Sequence, residues 1–258
     1  MRLWIMSDLH LESAPGWDLP PPDERPCFDV LVVAGDLVPG MERGVAWLAE
    51  RVVDRPVIYV AGNHELYGRD IDRTVSKARQ VAAGSNVHVL QNETVTIGGV
   101  VFVGATLWTD FALFGNPDLA MRRAADLMND YRRIRKLRHT RRLRPVDTLV
   151  RHIESKRFIA SAADGPKPGP MVVVSHHGCV KEAMKVGSET DVLSAAYTSD
   201  CPELLDDIDL WIYGHTHEYR DFTVGRTRIV SNAKGYGPWR PGERWDNPNF
   251  DLNLVIEI

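Results

Sequence analysis

Cysteine is scarce in this chain, and its scarcity excludes several kinds of site. The 258 residues contain three cysteines, and Cys27, Cys179 and Cys201 lie far apart with no Cys-x-x-Cys pair among them. A disulfide framework needs an even number of cysteines, and the usual structural zinc site needs them in closely spaced pairs. Single cysteines suit a reducing compartment. We therefore expect a cytoplasmic protein that has neither disulfides nor a paired-cysteine zinc site.

Long apolar runs and a strong net charge are also missing. No stretch approaches the roughly 18 apolar residues that a membrane-spanning helix needs. The apolar part of the first ten residues, MRLWIMSDLH, is too short for a signal peptide. The hydrophobic content is 44% and the formal net charge is −4. These values predict a soluble protein with a substantial core, and nothing overall favours a membrane-surface or nucleic-acid protein.

Short apolar runs recur along the chain and predict the strands of a core sheet. Several runs are continuous rather than alternating, which is typical of strands that are buried on both faces. Amphipathic segments at Glu42–Val53 and Ile71–Ala83 predict helices, and this β-α-β alternation indicates a largely parallel sheet. The predicted strands are Leu3–Met6, Val30–Ala34, Val57–Ala61, Val87–Leu90, Val100–Gly104, Met171–Val174 and Leu210–Tyr213.

Two other segments have the pattern of antiparallel hairpins. In TVTIGGVVFVG, Gly98 and Gly99 separate two alternating runs, and DFTVGRTRIVS has the same form. A chain that mixes β-α-β units with hairpins predicts an α/β fold in which two packed mixed β-sheets are flanked by helices. We expect residues 1–258 to form one such domain.

Residues 112–163 differ from the rest because they hold no strand-like run and are rich in helix-forming residues. The part from Arg122 to Arg144 has ten Lys or Arg and two acidic residues, a formal charge of +8. We interpret 112–163 as a helical insertion that could act as a lid. Its charge could attract anionic substrates or bind nucleic acid, or it could mark only a solvated helix face. Nucleic acid is not favoured, because Tyr131 is the one Phe, Tyr or Trp available there for base stacking.

Polar residues of a few types follow five of the predicted strands. The carboxyl ends of strands are where α/β sheets form their sites, so we expect these side chains to meet. Gly35, Gly62 and Gly214 precede three of the groups and would allow close approach of the backbone. The strand-end residues are Asp8 and His10, Asp36, Asn63 and His64, His176 and His177, and His215 and His217.

The spacing and chemistry of these residues predict a metal centre. Asp8 and His10 are two residues apart, as are His215 and His217, and in an extended chain such pairs point to the same side. Carboxylate, amide and imidazole ligands suit manganese, iron or zinc better than calcium. Seven ligands exceed the need of one catalytic zinc. Two ions bridged by Asp36 account for them, and such a pair can activate a hydroxide and clamp a phosphate.

Five short blocks in this sequence resemble those of the calcineurin-like metallophosphoesterases: SDLH, AGDLV, AGNHE, SHHG and GHTH. The resemblance runs from Asp8 to His217. It implies a sandwich of two β-sheets with a dinuclear metal centre at one end. The implied ligands of the first metal are Asp8, His10 and His217, with Asp36 as the bridge; those of the second are Asn63, His176 and His215. His64 would contact the phosphate and assist the leaving group, with Glu65 in support.

The fourth block departs from the family, because Gly178-Cys179-Val180 stands where related proteins often have a proline after the histidines. We favour His176 as the ligand because it lies nearer the strand end, and we interpret His177 as a residue behind the ligands or on the surface. His88, His139 and His152 are expected outside any site. Further candidates to line the site are Trp108, Thr109 and Asp110 after the strand Val100–Gly104, and Asn232 after the last hairpin.

The leading functional hypothesis is a dinuclear metal-dependent phosphoester hydrolase. A metal-bridging hydroxide would attack phosphorus in line, and a phosphodiesterase that acts on a small phosphorylated molecule is favoured over a monoesterase. One alternative is a non-catalytic binding module on the same fold, which the complete ligand set disfavours. A second alternative is a nuclease. An amidohydrolase-type enzyme would begin with His-x-His, whereas this chain begins with Asp-x-His.

Overall fold

Two β-sheets pack face to face in the computed structural model, which describes residues 1–238, 240 and 243–258. Across its width, the first sheet contains β13 (Val255–Glu257), β1 (Arg2–Met6), β2 (Val30–Val33), β3 (Val57–Tyr59) and β4 (Val87–Val89). The second contains β11 (Tyr219–Val224), β12 (Thr227–Asn232), β10 (Leu210–Tyr213), β9 (Met171–Ser175), β6 (Val100–Ala105) and β5 (Glu93–Ile97).

The interior strands of both sheets are parallel, and their edges carry the antiparallel pairs. In the first sheet β1 to β4 are parallel and β13 joins β1 antiparallel. In the second sheet β6, β9, β10 and β12 are parallel, whereas β5 and β11 pair antiparallel with their hairpin partners. The expected α/β fold with two mixed sheets is confirmed, as are both hairpins. The strand β13 was not among the predicted strands.

The interior strands of each sheet are buried on both faces, which explains the continuous apolar runs. On β1, Leu3 and Ile5 pack between the two sheets, where Phe102 of the second sheet also lies. Trp4 and Met6 point to the outer face of the first sheet. Burial of each large apolar side chain is worth about 1.5–3 kcal/mol. Successive side chains of this one strand therefore contribute to two core layers, one between the sheets and one outside the first sheet.

Helices cover the outer faces of both sheets. The helices α1 (Met41–Arg51) and α2 (Ile71–Ala82) cover the first sheet and agree with the two predicted helices. A long helix, α5 (Pro145–Asp164), packs Ile159 and Ala163 against the second sheet. No helix in the described ranges is long and apolar enough to cross a membrane.

The segment 112–163 is mostly helical, but the expectation that it holds no strand is wrong. It contains α3 (Pro117–Leu127), α4 (Asp130–Arg133) and α5, and a two-stranded ribbon of β7 (Arg135–Lys136) and β8 (Arg141–Arg142). Lys136 and Arg141 both pair with the carboxylate of Asp147. Each of these strands has two charged residues and ion pairs hold the ribbon. An alternating apolar pattern, from which a strand could be predicted, is therefore missing.

Gly104 tests the packing between the sheets. A Cβ at this position would lie 2.9 Å from Val60 Cγ1 and closer still to Leu90 Cβ, so neighbouring atoms must move. We expect Gly104→Ala to lower the free energy of unfolding by about 1–3 kcal/mol, as overpacked cores do. The measurement is the midpoint of denaturant unfolding. Gly165→Ala is the matched control, because a Cβ there meets nothing closer than 3.5 Å. Equal midpoints for the two variants would contradict this packing.

Candidate metal centre

All seven expected ligands converge at the carboxyl ends of strands from both sheets. Asp8 and His10 follow β1, Asp36 follows β2 and Asn63 follows β3. His176 follows β9, and His215 and His217 follow β10. Their side chains are buried or nearly so. The structure thus brings together residues that are more than 200 positions apart in the chain.

The backbone achieves this convergence in a way that differs from the sequence interpretation. Asp8 and His10 have φ values of 53° and 45°, and His215 and His217 have φ values of 69° and 55°. These pairs therefore lie in left-handed turns, and the argument from an extended chain is wrong for both pairs. Non-glycine residues rarely adopt this conformation, and such strain concentrates at functional sites.

The first ligand set contains Asp8, His10, Asp36 and His217. His10 Nε2 lies 3.1 Å from His217 Nε2 and 3.7 Å from Asp36 Oδ2. Asp8 Oδ1 lies 3.5 Å from His217 Nε2 and 4.0 Å from His10 Nε2. Ligand atoms bonded to one metal at about 2.1 Å are separated by about 3.0–3.4 Å. The distance of 3.1 Å matches that spacing, and the other three exceed it by about 0.1–0.6 Å.

The second ligand set contains Asp36, Asn63, His176 and His215. His176 Nε2 lies 3.0 Å from Asn63 Oδ1, 3.2 Å from His215 Nδ1 and 3.4 Å from Asp36 Oδ2. The same oxygen of Asp36 therefore belongs to both sets. A carboxylate oxygen in this position can bridge two ions.

The outer nitrogens of three of the four ligand histidines face hydrogen-bond acceptors. His10 Nδ1 lies 3.1 Å from Glu12 Oε1, and His217 Nδ1 lies 3.0 Å from Asp246 Oδ2. His176 Nδ1 lies 2.9 Å from the carbonyl oxygen of Ala34. Each outer nitrogen would carry the proton and leave a lone pair on Nε2, as in histidines that bind metals. The donor set therefore fits two cations.

The comparison with protein families agrees with this geometry. A family model described as calcineurin-like phosphoesterase matches residues 1–219. The chain belongs to the calcineurin-like phosphoesterase family. The five blocks that suggested the resemblance all lie inside the matched region.

Two relatives extend the comparison beyond the matched region. The phosphoesterase is 24% identical over 286 residues to an uncharacterized protein of Acanthamoeba polyphaga mimivirus, covering 99% of this chain and 96% of that protein. It also resembles the crystal structure of a phosphopantetheinyl hydrolase from Mycobacterium tuberculosis, with a TM-score of 0.68 and 18% identity. That match covers 91% of this chain and 89% of the other. The second likeness shows a shared fold.

Glu65 holds two of the strand-end turns together. Its carboxylate accepts hydrogen bonds from the backbone N–H groups of Asp36, Leu37 and Gly62 and from the Tyr59 hydroxyl. Burial and the charge of Asp36 raise the pKa of Glu65 to about 7, although the four donors favour the carboxylate. The expected supporting role thus has a structural basis, since Glu65 fixes the backbone on both sides of Asp36.

His64 lies beside both ligand sets and has its own partners. Its Nδ1 lies 2.8 Å from Glu12 Oε1, and its Nε2 lies 3.0 Å from the Tyr236 hydroxyl. Burial lowers the pKa of His64, but the carboxylates of Asp36 and Glu12 outweigh burial and raise it. The ligand atoms of His10, Asp36 and His64 also lie within 4.8 Å of one another. Distance alone therefore leaves a ligand role open for His64.

Sequence reasoning missed several residues at the site, among them Glu12, Tyr236 and Asp246. Glu12 contacts His10 and His64 through the same oxygen. The ring of Tyr236 lies 4.3 Å from that of His10, and Asp246 accepts from His217. Glu12 could have been found, because it stands two residues after His10 in SDLHLE. Tyr236 and Asp246 lie in irregular chain after β12, where no pattern marks them.

The insertion orients one of the ligands. Asn63 Nδ2 donates to Asp130 Oδ1 over 2.8 Å, and the Tyr67 hydroxyl donates to the same oxygen over 2.8 Å. With its amide nitrogen held this way, Asn63 directs its oxygen at His176. Asp130 begins α4, so the insertion takes part in building the centre. The residue of the insertion that orients Asn63 is the acidic Asp130, not one of its basic residues.

The residues with open interpretations fall in several places. His177 is buried, so it does not lie on the surface; its ring lies 4.3 Å from that of His215 and 5.0 Å from that of Trp108. Burial and His176 lower its pKa to about 3, so His177 is neutral. Asn232 does not face the ligands, because its side chain bonds the backbone of Ile5 and Asp251.

A cavity of about 450 Å³ opens over the two ligand sets. From the insertion, Leu127, Met128, Asn129 and Asp130 line it, and Lys185 is the one Lys or Arg among the lining residues that the structure describes. None of the ten basic residues of Arg122–Arg144 is part of this lining. Direct contact between those residues and a substrate at the ligand sets therefore has no support in the described lining.

Asp36 gives the sharpest test of two coupled ion sites. We expect the two ligand sets of the wild-type protein to hold about two metal equivalents per chain, and we expect Asp36→Asn to lower the occupancy of both ions because one oxygen serves both sets. Elemental analysis after desalting measures the stoichiometry. Asp54→Asn is the control, because this carboxylate is 70% exposed and belongs to neither ligand set. Full occupancy in Asp36→Asn would contradict a bridging role.

Proposed function

We propose that this phosphoesterase uses two divalent or mixed-valence ions of manganese, iron or zinc to hydrolyse phosphoesters. The observation that supports this most directly is the pair of four-residue ligand sets that share Asp36 Oδ2. When bound, two such ions activate a water molecule and neutralise charge on the phosphoryl oxygens. The residues that would hold them are Asp8, His10, Asp36 and His217 for one ion and Asp36, Asn63, His176 and His215 for the other.

His64 is the residue proposed to assist the leaving group. Glu12 accepts from Nδ1, so the proton that can be given away is the one on Nε2. Nε2 points towards Tyr236, and both residues line the cavity. A proton or a strong hydrogen bond from Nε2 to the departing oxygen avoids the release of a free alkoxide. Glu12 stabilises the protonated ring before the proton leaves.

The lining of the cavity supports a diester substrate over a monoester. A phosphate monoester carries close to two negative charges at neutral pH, whereas a diester carries one. Sites for phosphate groups commonly supply arginine or lysine. Apart from the metal ligands, the described lining has Lys185 as its one such cation and three carboxylates, Asp130, Asp191 and Asp246. This balance favours the substrate with the smaller charge.

A nuclease is the less favoured alternative on the same fold. Nucleic-acid binding draws most of its affinity from phosphate contacts by lysine and arginine. The basic residues of Arg122–Arg144 lie outside the cavity lining, so they do not form a track to the ligand sets. A non-catalytic binding module is disfavoured because every ligand and His64 are present at the site.

A substrate panel tests the reaction class. Manganese-loaded protein would be offered p-nitrophenyl phosphate, bis-p-nitrophenyl phosphate, cyclic nucleotides and single-stranded DNA. We expect a larger kcat/KM for bis-p-nitrophenyl phosphate than for p-nitrophenyl phosphate, and the protein stripped of metal should be inactive on both. The opposite preference would mean a monoesterase. Turnover of single-stranded DNA above all the small substrates would favour the nuclease.

His64→Ala tests the leaving-group role. A p-nitrophenolate departs without a proton, whereas an alkoxide does not, so the loss should be modest on a nitrophenyl ester and much larger on an alkyl or nucleotide ester. General acid assistance is typically worth about a hundred- to ten-thousand-fold. The assay compares kcat/KM for both ester types, with His139→Ala as the control because His139 is exposed and absent from the cavity lining.

The metal content of His64→Ala separates the two roles that distance leaves open. Retained metal with unequal losses on the two esters supports the proton donor. Equal losses on both esters would contradict that role and would mean that His64 mainly positions the phosphate. Lost metal would show that His64 is a ligand.

A further inference from the structure

A second cluster of metal-binding side chains lies apart from the dinuclear centre. It consists of Asp110, His152 and Cys201, each of which offers one ligand atom within 4.8 Å of the other two. Cys201 Sγ lies 4.0 Å from His152 Nε2. The three residues come from the loop after β6, from α5 and from the segment that leads to β10. None of them lines the cavity over the dinuclear centre.

The histidine of this cluster is already oriented as a metal ligand would be. His152 Nδ1 faces the carbonyl oxygen of Trp108 at 3.3 Å, so the proton on this nitrogen leaves the Nε2 lone pair directed at Cys201. A ligand histidine usually donates its outer N–H to a carbonyl or carboxylate in this way. His152 and Cys201 are each about 1% exposed. Water therefore does not compete for these two atoms.

The carboxylate of Asp110 is held by two hydrogen bonds. Its Oδ1 accepts from Ser199 Oγ at 3.1 Å and from the backbone N–H of Ala112 at 2.9 Å. These contacts fix the side chain while Asp110 itself is only partly buried. Asp110 is therefore the most accessible of the three side chains. Leu107, Trp108 and Phe111, around this carboxylate, all have φ between 57° and 69°, the strained conformation that concentrates at functional sites.

The distances are close to those of a zinc site. Bonds of about 2.3 Å to sulfur and about 2.0 Å to nitrogen at a tetrahedral angle separate the two ligand atoms by about 3.5 Å. The observed separation of 4.0 Å closes to that value with a movement of a few tenths of an ångström in either side chain. Cysteine, histidine and aspartate are all common zinc ligands.

The charges around the cluster also suit a divalent ion. Lys156 lies beside Cys201 and pairs with Glu203 at 2.5 Å, so these two charges offset each other. A zinc ion would then be balanced by the Asp110 carboxylate and a Cys201 thiolate. Burial raises the pKa of Cys201 to about 11 without an ion, although Lys156 opposes that effect. A buried, protonated thiol is a poor nucleophile, which disfavours a covalent catalytic role.

We propose that Asp110, His152 and Cys201 supply three ligands of a third, mononuclear zinc site, in which water would fill the fourth position. Binding deprotonates the Cys201 thiol and releases one proton to solvent. The ion would tie the loop after β6 and the insertion helix α5 to the segment around Cys201. Cys201 N–H in turn donates to the carbonyl oxygen of Cys179, three residues after the ligand His176. Sequence spacing gave no sign of this site, because its ligands are far apart and include one cysteine.

Cobalt(II) provides a test of this site, because the dinuclear centre cannot produce the same spectroscopic signal. That centre has only oxygen and nitrogen ligands, so a thiolate-to-cobalt charge-transfer band in the near ultraviolet reports cysteine ligation alone. Metal-free wild-type protein would be titrated with cobalt beyond three equivalents per chain. We expect the band to grow to one thiolate-bound cobalt per chain. We expect it to persist in Asp36→Asn, which disturbs the dinuclear centre.

Variants identify the thiol that binds. Cys201→Ser should abolish the band and lower the bound zinc by one equivalent, and His152→Ala should weaken zinc binding at this site at least tenfold. Cys27→Ser is the matched control, because Cys27 is exposed and should leave the band unchanged. A band that survives in Cys201→Ser would overturn the assignment. If Cys201→Ser does not fold, the wild-type titration decides, because no band with cobalt in excess also overturns it.

Discussion

The constraint on which the site depends is buried negative charge at the ends of the strands. Asp8, Asp36 and Glu65 are each 0–1% exposed, and no lysine or arginine within the described ranges pairs with them. An uncompensated buried carboxylate costs several kcal/mol. Backbone N–H groups meet part of that cost at Glu65 and Asp8. The remaining charge, surrounded by imidazoles, is what two cations would neutralise.

The turns after the strands show how tightly this charge is packed. Gly35 has a φ of 89°, and a Cβ there would lie 2.5 Å from His176 Nδ1 and 2.7 Å from the backbone nitrogen of Gly62. The turns after β2 and β3 are thus in contact with each other and with His176, the ligand that follows β9. The ligands that follow β1 and β10 adopt left-handed backbone conformations in spite of their side chains. Close approach and strain at the same point explain why glycine precedes the polar residues here.

The sequence was informative wherever a side chain follows a regular strand. The strands were recognisable as apolar runs, and parallel strands end at the same edge of a sheet. Polar residues that follow those runs, such as Asp36 and His176, were therefore expected to meet at that edge. The same reasoning failed where geometry depends on loops. Tyr236 and Asp246 reach the ligands from irregular chain, and the left-handed turns at Asp8 and His215 follow from tertiary contacts that local propensity does not encode.

The insertion connects to the centre through packing and one buried carboxylate, not through its excess charge. Tyr131 and Ile134 pack with Tyr67 and Trp108 in an apolar cluster beside the cavity. Within it, Asp130 accepts from Asn63 and Tyr67, and burial raises the pKa of Asp130. The Arg133 guanidinium lies over the Tyr67 ring, 4.5 Å from its centre. A movement of α4 would therefore displace the amide of Asn63, so the position of the insertion and the geometry of the second ligand set are mechanically coupled.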